Sequence, residues 1–488
     1  MAHYPIIFLS VIALCSAAQP AVRVSVAQSS LQNLKNEFIS YVVSKAQTEK
    51  IPDVNITSTL STYIFTNITL SQLELSSNNT NIIFNPSKST ISLSVTNFTF
   101  ALSMNVQFRF PFAVNGTMDI TFTNGSFILP ISIGDSNGKI NFQVGEIDED
   151  ELASLKVSIS TNNRIIRLIQ FFEGFWPFSK LAGHSIKKYA STLGESLNPG
   201  IAKILSKLSY TYQISNYTIV DYHFLDFAIA DEQHIEGDIN GTFYLTSQPK
   251  AAPQVTQAAQ PPAWASEEGV RIQFTEYFLN TYFLSMQTAG LLNYYLSGST
   301  ATSFPLKMTT TGLVPVVPNL SKAYGSNKQV DVSCFIYQPP VAVISQNVNI
   351  TANLYCDFIV HLNSTTNVNA FRAQMTFSNL LTAYLQNTDS GVFLYGEFDE
   401  LAFQFSNFQI LNSNIGTISS NKVAAAFNYS AYAIIMKINS YLMGQGVKLP
   451  LPDGVMLTNE VFITSSGAVE LGATPDFSNL MKAISENK

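Results

Sequence analysis

Strict alternation of apolar and polar residues between Phe98 and Val114 is the feature that most constrains the fold. Every even position in this stretch is apolar, and the odd positions are mostly polar. Successive side chains of a β-strand point to opposite faces of the sheet, so this period predicts strand with one buried face. The apolar residues between Ile91 and Val95 occupy odd positions instead. The phase therefore changes near Asn97, as a β-bulge would produce.

The alternation is also too long for one ordinary strand, since strands rarely exceed about ten residues. We therefore expect a hairpin turn near Arg109-Phe110-Pro111. Alternation resumes after the turn, and Asn-Gly pairs are the strongest short-range turn signal in such patterns. Turns are accordingly predicted at Asn115-Gly116 and Asn124-Gly125, which would continue an antiparallel meander.

Two short segments with similar sequences open the two halves of the chain. Val22–Val26 and Val270–Phe274 share a strand-like pattern, and each precedes apolar residues at helical spacing. The first helix is predicted to end before Pro52, and the second to cover Tyr277–Leu296. These parallels indicate a duplicated architecture.

Each half also contains a second helical region behind its strands. In the first half it covers 164–175 and 184–208, and in the second it covers 423–443. The order is helix, antiparallel strands, helix, strand in both halves. This order predicts an α+β fold in which curved sheets wrap long apolar helices.

A proline-rich stretch separates the halves. Residues 247–268 contain four prolines and no periodic apolar pattern, which is typical of an extended connector. We therefore divide the chain into a signal peptide (1–18), an N-terminal barrel-like domain (19–246), a linker (247–268) and a C-terminal barrel-like domain (269–488).

The amino terminus and the cysteines favour the secretory pathway. A short apolar run from Tyr4 to Leu14 precedes small residues suited to cleavage after Ala18. Cleavage leaves Cys334 and Cys356, which fit one disulfide in an oxidising compartment. Two buried free thiols are the alternative. We expect a protein that is secreted or resident in the lumen of the secretory pathway.

N-glycosylation sequons support the same compartment. Glycans would solvate the surface of a chain in which only 12% of the residues are charged, although Asn and Thr can also replace charged residues on exposed strands. The twelve candidate sites are Asn55, Asn67, Asn78, Asn97, Asn115, Asn124, Asn216, Asn240, Asn319, Asn349, Asn363 and Asn428.

The charge balance and the motifs exclude several classes of function. A formal net charge of −7 offers no overall attraction for nucleic acid. The sequence has no metal-ligand spacing, no phosphate-binding loop and no nucleophile elbow. We therefore predict no catalytic residue, no metal and no cofactor, and a protein that is not an enzyme.

A set of ordered motifs resembles one known family. The opening AVRVSVAQSSL, the segment VDYHFLDFAIADEQHIEGDINGTFY, the proline-rich connector, NTYFLSMQTAGLL and the closing GVKLPLPDGVMLTNEVFI occur here in the order typical of that family. The chain resembles the family of bactericidal/permeability-increasing protein, lipopolysaccharide-binding protein and cholesteryl ester transfer protein. The resemblance implies a boomerang of two barrel-like domains joined by a central sheet, each with an apolar tunnel for lipid acyl chains.

The apolar helices supply the candidate tunnel walls. Helical spacing alone does not distinguish a tunnel wall from a filled core, so ordinary core packing is the alternative for every residue in this set. The candidates are Leu34, Phe38, Val42, Ile165, Leu168, Ile169, Phe172, Leu197, Ile201 and Leu205 in the first half, and Phe278, Tyr282, Met286, Leu291, Ile434, Ile435, Ile438 and Leu442 in the second.

The chain departs from the family at the tip hairpin of the first domain. Endotoxin-binding members carry several cations there, whereas this hairpin has only Arg109, with Phe108, Phe110 and Phe112 around it. The aromatic residues and Arg109 are candidates for contact with a membrane interface. Alternatively, the aromatic side chains continue the row of apolar residues on the inward face of the strand.

Together these features predict a lipid-binding or lipid-transfer protein that holds phospholipid or another acyl lipid. Its second partner would be a membrane or lipoprotein surface. Two alternatives stay open: a host-defence protein of innate immunity that binds bacterial lipopolysaccharide, and a secreted structural or adhesive glycoprotein.

Overall fold

The computed structural model consists mainly of antiparallel β-sheet. It describes residues 20–32, 51–57, 62–109, 113–145, 156–164, 209–248, 260–299, 306–442, 446–451 and 454–479, with a few single residues between these ranges. The strands of the first half are β1 (Val22–Ala27), β2 (Val54–Thr57), β3 (Thr62–Glu74), β4 (Thr80–Asn85), β5 (Thr90–Arg109), β6 (Ala113–Ser136), β7 (Lys139–Val144), β8 (Lys156–Thr161), β9 (Thr211–Gln213), β10 (Thr218–Asp221), β11 (Phe224–Ile229), β12 (His234–Ile239) and β13 (Thr242–Leu245).

The second half has a similar strand-rich composition. Its elements are β14 (Val270–Thr275), α1 (Glu276–Thr288), β15 (Tyr294–Leu296), α2 (Pro318–Tyr324), β16 (Val330–Ile336), β17 (Val341–Ile344), β18 (Val348–His361), β19 (Asn367–Thr388), β20 (Gly391–Phe398), β21 (Gln404–Ser413), α3 (Ser420–Leu442), β22 (Val447–Lys448), β23 (Met456–Ser465) and β24 (Ala468–Asp476).

Seven strands of the first half form a curled sheet. Its strands run in the order β2-β3-β5-β6-β7, and β4 and β8 pair with the free parts of β5 and β6. The inward residues of β5 and β6 form the core, where Phe100 stacks on Phe122 and Leu102 is fully buried. The alternation that predicted these strands thus corresponds to one buried face.

The hairpin and the bulge are confirmed. Strand β5 ends at Arg109, which pairs with Ala113 at the start of β6. The ladder between β5 and β6 shifts register between Val95 and Phe98, and Asn97 between them has a positive φ of 51°. Asparagine tolerates this left-handed conformation better than most residues, so the extra residue is accommodated in the strand.

The predicted turns at Asn115-Gly116 and Asn124-Gly125 are wrong, because β6 continues through both pairs. Packing explains both glycines instead. A Cβ at Gly116 would lie 2.9 Å from Cδ1 of Ile166, and one at Gly125 would lie 2.3 Å from the Phe98 ring. The glycines therefore allow close approach of neighbouring side chains within a continuous strand.

The second half forms a second curled sheet in the order β15-β16-β18-β19-β20-β22, with β17 paired to β18 and β21 paired to β19. Helix α3 matches the predicted helix over 423–443. The predicted helix over Tyr277–Leu296 is too long: α1 ends at Thr288, and a strand follows. Gly290, with φ of 72°, leaves the helical conformation at this point.

A central sheet joins the halves. Its order is β11-β12-β1-β14-β24-β23, so the two similar opening segments lie side by side as antiparallel neighbours. Val22 pairs with Phe274 and Val26 with Val270. The central sheet implied by the family resemblance is therefore present, and it is built from three strands of each half.

The end of the connector packs on this sheet. The Trp264 ring contacts two guanidinium groups, 4.9 Å from Arg23 Cζ and 4.8 Å from Arg271 Cζ, and its Nε1 donates to Glu236 at 2.8 Å. The buried Glu470 carboxylate accepts hydrogen bonds from the backbone N–H groups of Ala265 and Ser266 at 2.7 and 2.8 Å. The segment 260–268 is thereby fixed to the sheet that links the halves.

Candidate functional site

An apolar cavity of about 740 Å³ lies inside the second half, between the curled sheet and helices α1 and α3. This volume is within the range of sites that enclose small organic ligands. The lining residues are Tyr282, Phe283, Met286, Gly290, Leu291, Leu292, Asn293, Tyr294, Leu296, Leu306, Met308, Leu313, Val316, Val317, Val332, Cys334, Phe335, Ile336, Pro340, Ile350, Ala352, Leu354, Phe358, Phe377, Phe398, Phe405, Val423, Ala426, Phe427 and Ser440.

Strand alternation builds the sheet side of the cavity. The even positions of β18 from Ile350 to Phe358 are buried, while polar residues such as Asn349 and Asp357 occupy odd positions. Phe377 on β19 and Phe405 on β21 add aromatic rings to the same wall, with centroids 6.0 Å apart. The period-two pattern of the sequence thus places one apolar face toward the cavity.

Helix α3 covers the cavity with one face. Val423, Ala426 and Phe427 follow the spacing that places residues on the same side of a helix, and all three line the cavity. Two asparagines hold the helix on the sheet. Asn439 Oδ1 accepts from the Phe398 N–H at 2.9 Å, and Asn428 Oδ1 accepts from the Phe405 N–H at 3.1 Å.

The disulfide between Cys334 and Cys356 is part of the cavity wall. The two cysteines are directly opposite each other on β16 and β18 and form the disulfide that the sequence favoured over free thiols. Cys334 lines the cavity, and Cys356 is fully buried. The bond therefore ties together two strands of the wall.

A polar cluster on the outside of the wall fixes the short edge strand β15. The Asp331 carboxylate accepts hydrogen bonds from Gln329 Nε2 and the Gly298 N–H, both at 2.8 Å, and from the Tyr295 hydroxyl. His361 Nε2 lies 2.7 Å from the same carboxylate. Burial alone would raise the pKa of Asp331, but these hydrogen bonds outweigh it and lower the pKa to about 2.

The described lining of the cavity is mainly apolar. Its residues include tyrosines, Asn293 and Ser440, and no carboxylate, histidine, lysine or arginine is among the described ones. The described part of the chain also has no group of three or more His, Cys, Asp or Glu that could hold a metal ion. The arrangement is suited to enclosing an apolar ligand, because few polar groups would be desolvated.

The cavity includes only part of the residue set predicted for the second half. Tyr282, Met286 and Leu291 line it. Phe278 belongs to another core cluster, where it packs against Phe243 and Phe274, and Ile435 is buried in the core of the second half. The side chains of Ile434, Ile438 and Leu442 lie outside the described residues.

The predicted tunnel residues of the first half cannot be placed. All of them lie outside the described residues: Leu34, Phe38, Val42, Ile165, Leu168, Ile169, Phe172, Leu197, Ile201 and Leu205. The helix-based prediction also missed the strand contribution to the second-half cavity. Alternation over NITANLYCDFIVHL was the available signal for Ile350, Ala352, Leu354 and Phe358.

At the tip hairpin, Phe108 lies inside the barrel. It is 3% exposed and packs edge-on against Tyr63, with ring centroids 5.1 Å apart. Its position corresponds to the inward-facing alternative. Arg109 is exposed and donates to Gln107, whereas Phe110 and Phe112 lie outside the described residues.

The sequon asparagines lie mostly on the surface. Asn240 and Asn319 are partly buried, and the other ten are exposed. Within the described ranges, no helix is long and apolar enough to cross a membrane.

Comparisons with known proteins agree with this architecture. The sequence model of the LBP / BPI / CETP family, C-terminal domain, matches residues 212–477. The chain is 21% identical to the phospholipid transfer protein of Homo sapiens over 505 aligned positions, covering 100% of this chain and 96% of the relative. It is 23% identical to the phospholipid transfer protein of Mus musculus, covering 99% and 95% of the two chains.

A solved structure shows the same fold. The crystal structure of lipopolysaccharide binding protein matches with a TM-score of 0.60 and 17% sequence identity, and the match covers 94% of this chain and 99% of that one. At this identity the likeness concerns the fold: two curled antiparallel sheets with few helices.

Proposed function

We propose that this chain, which belongs to the LBP / BPI / CETP family, binds lipid and transfers it between lipid surfaces without catalysis. The observation that carries this proposal is the apolar cavity of about 740 Å³ beneath α3. The two phospholipid transfer proteins that align along nearly the whole chain support transfer of acyl lipid.

The chemistry of the cavity favours an acyl chain as its occupant. Burying one methylene group is worth about 0.8 kcal/mol, so about ten methylenes contribute about 8 kcal/mol before the cost of ordering the chain. Among the lining residues that the structure describes, Asn293 and Ser440 are those with amide or aliphatic hydroxyl groups. A polar headgroup would therefore lie near the cavity margin or in solvent.

Exchange of lipid with a lipid surface requires a path between the cavity and the outside of the protein. Helix α3 is the covering element, and its contacts with the sheet include the asparagine hydrogen bonds to Phe398 and Phe405. We propose that lipid enters beside this helix. Two further parts of the proposal concern the first half: its tip hairpin contacts a lipid surface, and it holds a second tunnel for acyl chains.

The compartment is also part of the proposal. The candidate signal peptide, the disulfide and the exposed sequons support secretion or residence in the lumen of the secretory pathway. In that setting a membrane or lipoprotein surface is the expected donor and acceptor of lipid.

Lipid extraction of the purified full chain tests the binding. We expect mass spectrometry to recover a phospholipid or another acyl lipid in stoichiometric amount, and we expect labelled phospholipid to move between vesicles faster when the protein is added. Absence of bound lipid in native and reconstituted protein, together with an unchanged transfer rate, would contradict the proposal. Titration with endotoxin separates the host-defence alternative, because tight endotoxin binding without phospholipid transfer would favour it.

A further inference from the structure

Strand β17 leaves two valine side chains in solvent beside a glycosylation sequon. Val341 is 52% exposed and Val343 is 50% exposed, while the alternate residues of the strand are buried. Val343 pairs with Asn349 of β18, and Val341 pairs with Thr351. The two valines therefore share one face of the sheet with the asparagine and the threonine of the sequon.

The backbone of β17 does not need a further strand as a partner. Asn280 of α1 accepts a hydrogen bond from the Ala342 N–H at 2.7 Å and donates one to the Ala342 carbonyl at 3.3 Å. Glu276 Oε1 accepts from the Ile344 N–H at 2.7 Å. Because α1 occupies these edge groups, the exposed feature that remains is the apolar side-chain face.

Asn349 lies in the middle of this apolar face. It pairs with Val343 on one side and with Leu380 of β19 on the other, and directly opposite residues have Cβ atoms about 5 Å apart. Asn349 is exposed, and its side chain makes no hydrogen bond to any described residue. Its Nδ2 is thus available, and a group attached there would lie over Val343 and Leu380.

Asn240 shows the contrasting arrangement. Its Nδ2 donates to Asp221 Oδ2 at 3.1 Å, and its Oδ1 accepts from the Thr242 hydroxyl. The same Nδ2 also donates to the Tyr244 hydroxyl at 3.4 Å, so a glycan on this nitrogen would replace one of its two hydrogen bonds. The structure therefore separates sequons that the sequence alone treats as equal.

We infer that Asn349 carries an N-linked glycan whose first sugars cover the apolar patch formed by Val341, Val343 and Leu380. An N-linked glycan is bulky and solubilising, whereas an uncovered apolar patch promotes association. The inference rests on passage through the secretory pathway, which belongs to the proposed function.

Glycopeptide mass spectrometry of the full chain secreted from eukaryotic cells tests the modification. We expect glycan on Asn349 and unmodified Asn240. Occupancy of other exposed sequons with Asn349 unmodified would overturn this inference alone. Absence of glycan at every sequon would overturn the secretory proposal as well.

Sequon variants test the shielding. We expect Asn349→Gln to increase binding of a fluorescent hydrophobic dye at least about twofold and to increase aggregation on warming. Asn363→Gln is the matched control, because Asn363 lies in the exposed turn between β18 and β19, and it should leave dye binding unchanged. Equal dye binding by the wild type and Asn349→Gln would overturn the shielding.

A rescue variant separates shielding from misfolding. Val341→Thr/Val343→Thr in the Asn349→Gln background keeps branched side chains on the strand and removes two apolar surfaces. We expect dye binding to return to the wild-type level. Persistently high dye binding would show that loss of the sequon damages the fold elsewhere, which would contradict the inference.

Discussion

Arg271 Nη2 lies 2.7 Å from Ser25 Oγ, and this hydrogen bond joins the opening strands of the two halves. Both residues are buried, and they are directly opposite each other in the pairing of β1 with β14. The same guanidinium lies against Trp264 of the connector. The central sheet is therefore held by strands from both halves and by the segment that links them.

We predict that Trp264→Ala destabilises the protein by about 3 kcal/mol, because it removes two cation–π contacts and a hydrogen bond to a charged partner. Trp264→Phe keeps an aromatic ring beside Arg23 and Arg271 and should cost about half as much. Urea unfolding measures both. Unchanged stability of Trp264→Ala would show that residues 260–268 do not contribute to holding the central sheet.

We predict that Ala426→Trp blocks the cavity, since Ala426 lies on its wall under α3 and the indole would occupy space needed by an acyl chain. Lipid bound per protein in the second half should fall several-fold. Ala425→Trp is the control, because Ala425 is exposed on the same helix. Equal lipid content in both variants, measured by extraction and mass spectrometry, would argue against this cavity as the binding site.

The disulfide should stabilise the second half. Cys334 and Cys356 are separated by 22 residues, and closing a loop of this length is worth roughly 3 kcal/mol in the chain-entropy model. We expect reduction, or Cys334→Ala/Cys356→Ala, to lower the free energy of unfolding by about this amount. Non-reducing peptide mapping checks the bond directly, and free thiols at both positions in secreted protein would refute it.

The lowered pKa of Asp331 predicts that the protein loses stability in acid. Its pKa is lowered from 3.8 to about 2 in the folded protein, so the folded state favours the charged carboxylate. This contribution is complete above the unfolded pKa near 4 and is lost as the pH falls toward 2; its size is about 2 kcal/mol. Asp331→Asn should be less stable at neutral pH and should flatten the acid limb of the stability curve.

The control for Asp331 is Tyr295→Phe, which removes one hydrogen bond and leaves the carboxylate in place. Because the pKa of Tyr295 is raised to about 12, this hydroxyl stays protonated throughout the acid range. The variant should therefore keep most of the acid dependence. An acid limb that is identical in the wild type and Asp331→Asn would show that Asp331 does not account for it.

Local patterns predicted much of the sheet structure. Alternation around Phe98–Val114 identified β5 and its inward face, and the phase change at Asn97 located the bulge, since both depend on side-chain direction within one strand. The Asn-Gly pairs misled the prediction. Gly116 and Gly125 lack a Cβ, which lets Ile166 and Phe98 pack closely against them. A rule based on neighbouring residues in the sequence cannot predict such tertiary contacts.

The sequence by itself determined which residues are apolar on each face and which segments open the two halves. Only the tertiary structure decided that β1 pairs with β14, because residues far apart in the chain must meet for that ladder to form. It also decided that Met286 lines a cavity while Phe278, two helical turns earlier, fills a core with Phe243. Helical spacing specifies the direction of a side chain, whereas the distance to the opposite wall determines whether space remains for a ligand.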